Sequence, residues 1–208
     1  MLYFENTPAS KMSISKRGLV CGVGVNDVTF VTTLVVEGRS TLHPGYSAWL
    51  NMLKRCYSQE FHIRRPTYSK TDVCSEWLKF SSFLSWWKLN YVAGWVLDKD
   101  ILGNGTLYSP ETCVYVPMHI NNFIEASQAS RGECPIGVSK TSSGKFHSYC
   151  RNNQTNKRVN LGYFDTADEA SNARLNYKLQ LVEDMRSELD LINPKLFTAL
   201  QQKVRSII

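Results

Sequence analysis

No Cys-x-x-Cys pair occurs among the six cysteines Cys21, Cys56, Cys74, Cys113, Cys134 and Cys150. Without that spacing a zinc knuckle has no ligand framework, and thiols set in apolar or strand-like contexts read as buried and reduced. Nor does any apolar run approach the ~18 residues that a membrane span requires. The first residues, MLYFENTPASKMSISKRG, lack the uninterrupted apolar core of a signal peptide, so a cytoplasmic protein with no membrane partner is expected. Finally, no helical pattern follows the glycines of Gly22-Val23-Gly24. A phosphate cradle needs a helix N-terminus behind its glycines, so these read as a β-turn.

What the sequence does hold is apolar and aromatic material, at 43% and 12% of 208 residues, enough for one medium core or two small ones. The net charge is a modest +6, but its placement is uneven. Lys54, Arg55, Arg64, Arg65 and Lys70 lie together against Glu60 alone, and Arg131, Lys140, Lys145, Arg151, Lys157 and Arg158 against Glu133 alone. Phosphate backbones are met by such clusters, which makes nucleic acid the first partner to consider.

The pattern along the chain is mixed, predicting an α+β fold. Residues 1–17 are polar and expected to be flexible. The stretch GLVCGVGVNDVTFVTTLVVEG suggests a strand, a turn at Asn26-Asp27 and a second strand. In YSAWLNMLKRCY the residues Tyr46, Trp49, Leu50, Leu53 and Tyr57 fall at helical spacing, leaving Lys54 and Arg55 outside. Trp77, Phe80, Leu84 and Trp87 repeat in the same way and read as core. The small and polar residues of FIEASQASRGECP mark a boundary near residue 130. Beyond it PIGVSKT, GKFHSYCRN and KRVNLGYF predict three short strands, and Thr166 with Glu169 forms a capping box that opens a helix. Asn193-Pro194 starts a last amphipathic segment with Leu196, Leu200 and Val204, which can pack back or pair with another copy.

The three-strand-plus-helix unit resembles the DNA-binding domain of the plant ethylene-response-factor (APETALA) family. The residues that carry this are RG at 131–132, IGVSK at 136–140, GKFHSYCR at 144–151 and RVNLGYFDTADEASNA at 158–173. The resemblance implies that a face of the sheet enters the major groove of double-stranded DNA. Position by position it points to Lys140, Lys145, Phe146, Arg151 and Arg158. A two-residue period separates Phe146, Ser148 and Cys150 from Lys145, His147, Tyr149 and Arg151 unless a bulge intervenes. The second set, with Lys140, Lys157 and Arg158, is the expected DNA face, and Phe146 is assigned to the core. Asn160 stands where the plant domains carry an aromatic residue.

Residues 46–121 resemble the HNH-type endonucleases of phages, including the homing kind. The resemblance is carried by Trp49, Met52, Lys54 and the RCY ending at Tyr57, by Cys74, Trp77 and Phe80, by LDKD at 97–100, and by YSPETCVYVP with Ile120-Asn121. It implies a ββα-metal region in which Asp98 and Asn121 hold one divalent cation, Mg or Mn. Lys99 occupies the place of the histidine base, and Thr112 that of a structural asparagine. Hard cations select oxygen ligands, which Asp98 and Asn121 supply. A lysine is a poor base unless its pKa is lowered, so Lys99 can clamp a phosphate instead, with Asp100 or His119 assisting the water.

The expected organisation is therefore a flexible segment 1–17, an HNH-like nuclease domain 18–130 with flanking helices, a three-stranded antiparallel sheet packed on a helix over 131–188, and a helical tail 189–208. Three functions are compatible with it. The first is a metal-dependent endonuclease that nicks or cuts duplex DNA, bound through Lys54, Arg55, Arg64 and Arg65 as well as the sheet. The second is a catalytically silent HNH scaffold acting as a DNA-binding regulator or as an inhibitor of a host nucleic-acid enzyme. The third is a protein-interaction module whose basic surfaces meet an acidic partner.

Overall fold

The structure is a computed structural model that describes residues 2–36, 38–124 and 134–206. In chain order its elements are α1 (Leu2–Glu5), α2 (Lys11–Ser15), β1 (Thr33–Val36), β2 (Arg39–Leu42), α3 (Pro44–Tyr57), α4 (Gln59–Arg64), β3 (Asp72–Val73), α5 (Phe80–Asn90) and β4 (Val96–Asp98). There follow β5 (Leu107–Tyr108), β6 (Val114–Val116), α6 (Met118–Asn121), β7 (Val138–Lys140), β8 (Phe146–Asn152), β9 (Lys157–Phe164), α7 (Ala167–Asp184), α8 (Arg186–Ile192) and α9 (Leu196–Arg205). The fold is α+β. Its chain divides into two compact units, Met1–Ala93 with Gly103–Tyr115 and Gly94–Leu102 with Val116–Ile208. The boundary expected near residue 130, and the Arg131-Gly132 of the resemblance, lie outside the described residues.

The first unit is organised by aromatic side chains. Trp49, Trp77, Trp87, Phe80 and Phe83 are all within 1% of complete burial, and the Trp49 indole donates to the Trp77 carbonyl at 2.6 Å. Helix α3 forms as expected, with Trp49, Met52, Leu53 and Cys56 inward and Lys54 exposed. The second aromatic segment is broken at Lys79 into a 3-10 turn, Ser75–Leu78, and helix α5. The hairpin falls later than the sequence suggests: it pairs β1 with β2, Thr33 lying opposite Leu42 and Val36 opposite Arg39. Asn26 and Asp27 make no hairpin turn, because Asp27 caps α5 by accepting from the Ser81 amide at 2.9 Å and its hydroxyl at 2.6 Å.

Residues expected to be flexible are held in place. Phe4 is buried against the His43 ring at 5.4 Å, and Glu5 pairs with Lys88. His43 itself is fully buried and starts α3, its Nδ1 accepting from the amides of Gly45 and Tyr46 at 3.1 and 3.4 Å. Its Nε2 lies 3.5 Å from Glu5.

The second unit contains the three-stranded antiparallel sheet, in the order β7-β8-β9, packed on α7. Thr166 and Glu169 close the expected capping box at the start of α7. Ser148, with no exposed surface, donates to the Ala170 carbonyl at 2.6 Å and ties β8 to that helix. Helix α9 packs on α7 and α8, burying Leu196, Leu200 and Val204. Of the two uses open to this apolar face, packing back within the chain is the one observed.

His43 yields a test of this packing. Burial pushes its pKa below the ordinary imidazole value, against the pull of Glu5. The unfolded state then binds a proton more readily, so His43's contribution to stability is complete above about pH 6.5 and is lost as the pH falls below it. Denaturation midpoints measured between about pH 5 and 8 should therefore decline on the acid side. His43→Asn keeps a capping acceptor without a titrating ring, and it is expected to flatten that decline.

Candidate nucleic-acid interface and metal centre

Alternation along β8 sends Ser148 and Cys150 towards α7 and leaves His147, Tyr149 and Arg151 on the other face. Opposite them in β9 stand Tyr163, Asn160 and Arg158. That set is out of step with a simple two-residue period, because Asn160 and Tyr163 are three apart. A bulge accounts for it: Ser148 pairs with Gly162 and Tyr149 with Asn160, so Leu161 is the extra residue. Gly162 takes a φ of +117°, a conformation that L side chains rarely adopt, which is why glycine stands there.

The outer face is consequently basic and aromatic together. The Arg158 guanidinium lies 3.5 Å from the centre of the Tyr149 ring, and His147 stacks on Tyr163 at 4.8 Å. His147 Nε2 lies 3.0 Å from Asn160 Oδ1, which also accepts from the Gly162 amide at 3.0 Å. Asn160 thus fixes the orientation of the histidine ring and closes the bulge. Tyr163, 60% exposed, belongs to this face, and periodicity without a bulge assigns it to the core. Gly162 within a strand was the signal that could have found it.

Other expected DNA contacts are placed differently. Lys140 pairs with Phe146 and shares its face, the ammonium 5.9 Å from the Phe146 ring, so it stands across the sheet from Arg151. Lys157 lies opposite Asn152 at the end of the sheet and falls on the Lys140 side, because Arg158 is its neighbour. Lys145, before the strand, pairs with Asp165 at 3.2 Å. In the first unit Lys54, Arg55 and Arg65 line one cavity of about 660 Å³ with Asn51, Phe61, Thr67 and Tyr68. Arg55 there approaches the Tyr108 hydroxyl at 3.5 Å, while Arg64 is paired with Glu60 at 2.9 Å.

The LDKD motif ends strand β4, whose partner strand is β6. Asp98 is buried, and its Oδ1 accepts from the amides of Asp100 at 2.8 Å and Ile101 at 2.7 Å. The carboxylate therefore shapes the turn that leaves β4. Burial raises its pKa above the ordinary carboxylate range, against the opposing pull of those amides. Lys99 is buried too, its ammonium 2.8 Å from the exposed carboxylate of Asp100. Thr112 closes the loop between β5 and β6, donating to the Leu107 carbonyl at 2.8 Å and accepting from the Ser109 amide at 3.0 Å.

Helix α6, which carries His119 and Asn121, packs on β4. His119 Nε2 lies 3.2 Å from Glu188. Asn121 donates through Nδ2 to Asn122 at 3.4 Å and keeps its carbonyl oxygen as an acceptor. Among the described residues no group of three or more His, Cys, Asp and Glu could hold a metal ion. Asp98 retains a second carboxylate oxygen and Asn121 its amide oxygen, each of a type that hard cations select. Magnesium is commonly held by one or two such protein oxygens, with water and substrate phosphate completing its shell.

Comparison with protein-family models, with curated proteins and with solved structures finds no match to this chain.

Because Asp98 supports a turn, removing it has a structural cost apart from any chemistry. Asp98→Ala leaves the amide of Asp100 and the buried amide of Ile101 without their acceptor and is expected to cost about 1–3 kcal/mol in urea denaturation. Asp98→Asn keeps an acceptor oxygen and should retain most of that stability. Equal losses in the two variants would show that the carboxylate charge, rather than the turn, matters there.

Proposed function

We propose that the protein binds duplex DNA through the outer face of the β7-β8-β9 sheet, and that β4, β6 and α6 form an HNH-like centre that hydrolyses a phosphodiester of the bound DNA. The observation that carries this reading is the sheet face itself. Arg151, Arg158, His147, Tyr149, Asn160 and Tyr163 are gathered there from two strands, while the opposite face is committed to α7. Guanidinium groups, amides and ring edges are the groups that meet phosphates and base edges in a groove.

For the hydrolytic part, Asp98 and Asn121 are the residues that would hold Mg or Mn. The cation, when bound, offsets charge on the scissile phosphate and acidifies a bound water. Lys99, whose side-chain nitrogen lies 2.8 Å from Asp100, is suited to holding a phosphate oxygen. Asp100, half of a pair with Lys99, is the nearer carboxylate in sequence for the water. His119 is engaged by Glu188 and therefore acts in orienting α6.

A second reading, a silent scaffold that only binds, is favoured by one observation: Lys99 is buried and fixed on Asp100 at the position of the base. Supercoiled plasmid incubated with and without Mg or Mn separates the two. Metal-dependent nicking that is lost in Asp98→Asn and Asn121→Ala, with binding retained, is the result expected of a nuclease. Lys99→His should then raise the rate, by up to roughly 10²-fold for a well-placed imidazole base. No nicking by either the wild type or Lys99→His identifies the silent scaffold.

Binding has its own test. Each phosphate neutralised contributes about −0.9 to the slope of log affinity against log salt. Arg151→Gln combined with Arg158→Gln is expected to flatten that slope by roughly two units on duplexes of any sequence. An unchanged slope, or no binding by the wild type at low salt, would exclude the sheet as the DNA face.

A further inference from the structure

The sheet and α6 belong to the same compact unit and are also joined by side chains. Asn153, in the turn between β8 and β9, donates to the Asn122 carbonyl at 2.7 Å, just beyond the end of α6. Lys178 of α7 donates to the next carbonyl, that of Phe123, at 2.8 Å, and its ammonium lies 4.1 Å from the Phe123 ring. His119 meets Glu188 of α8 at 3.2 Å. Three contacts from three elements thus hold α6 against the body that carries the sheet, and helix and sheet cannot move independently without breaking them.

Between α6 and the β8–β9 turn runs a cavity of about 500 Å³, lined by Met118, His119, Asn122, Arg151, Asn153 and Asn156. Its lining holds one guanidinium, one imidazole and three carboxamides, with no carboxylate among the described lining residues. The guanidinium and carboxamides of that lining can donate hydrogen bonds, the one acid beside it being Glu188 on His119, and such donors are the chemistry that meets a phosphodiester backbone. Arg151 is the link. Its side chain stands on the outer sheet face opposite Arg158, donates to Asn156 Oδ1, and also forms a wall of the groove.

Resting on the reading of the sheet as a DNA face, we infer that this groove is the track by which the backbone of a sheet-bound duplex passes to α6. Arg151 contacts a phosphate at the junction, and Asn153 is the positioning residue that sets the distance between sheet and helix. Any strand scission then falls at a fixed offset from the base pairs held by the sheet.

Site-specific photo-crosslinking of the full chain tests this without requiring cleavage. A benzophenone side chain is placed at Tyr163 on the sheet face, at Met118 on the groove wall, or at Leu191, which is 88% exposed on α8. With a radiolabelled duplex, crosslinks are expected from Tyr163 and Met118 and none from Leu191. The Met118 and Tyr163 adducts should map a constant number of nucleotides apart, and Asn153→Ala should scatter that interval while leaving the Tyr163 crosslink in place. Crosslinking from Tyr163 without Met118 overturns the track while the sheet reading stands. An equal yield from Met118 and Leu191, or an unscattered interval in Asn153→Ala, overturns it as well. Silence at both Tyr163 and Met118 removes the sheet reading and the track together.

Discussion

The ammonium of Lys178 is almost wholly buried and donates to the carbonyl of Phe123, fixing the end of α6 to the helix on which the sheet is packed. A buried charge without partners costs several kcal/mol, and that carbonyl and the adjacent ring are among the groups that offset this cost for Lys178. The contact therefore works in both directions: it satisfies the lysine and holds the short helix. Helix α6 has four residues, too few to be stable alone, and its geometry is set by what it is fastened to.

From that fastening follows the arrangement of the candidate site. One side of α7 takes the sheet through Ser148 and Ala170, another takes α9, and Lys178 reaches α6. Committing the inner face of the sheet to α7 leaves the outer face with Arg158 over Tyr149 and His147 on Tyr163. Cation-π and stacked ring contacts order these side chains within the fold itself.

The LDKD turn gives the Asp98 carboxylate a structural duty. One oxygen of Asp98 accepts two amides and defines the turn. Lys99 next to it is held by Asp100 in a largely buried position. An arrangement of this kind is stable with or without catalysis, which is why the two readings of the centre diverge on chemistry and agree on the fold.

Local pattern alone determined a good part of this molecule. Helical spacing of Trp49 and Leu53 placed α3, the Thr166–Glu169 capping box placed the start of α7, and turn residues delimited the three strands of the sheet, because each of these signals is decided by neighbours within a few residues. The same is true of the alternation that separates Ser148 from Tyr149. Other features required tertiary structure. The bulge at Leu161 moved Tyr163 to the outer face, since register depends on a partner strand. Asn26 and Asp27 were drawn from a turn into contacts that include a cap on α5, and Phe4 was held against His43, since both depend on residues tens of positions away. The joining of α6 to the sheet through Asn153, Lys178 and Glu188 was equally invisible in the sequence, because hydrogen bonds between distant side chains and carbonyls leave no periodic trace along the chain.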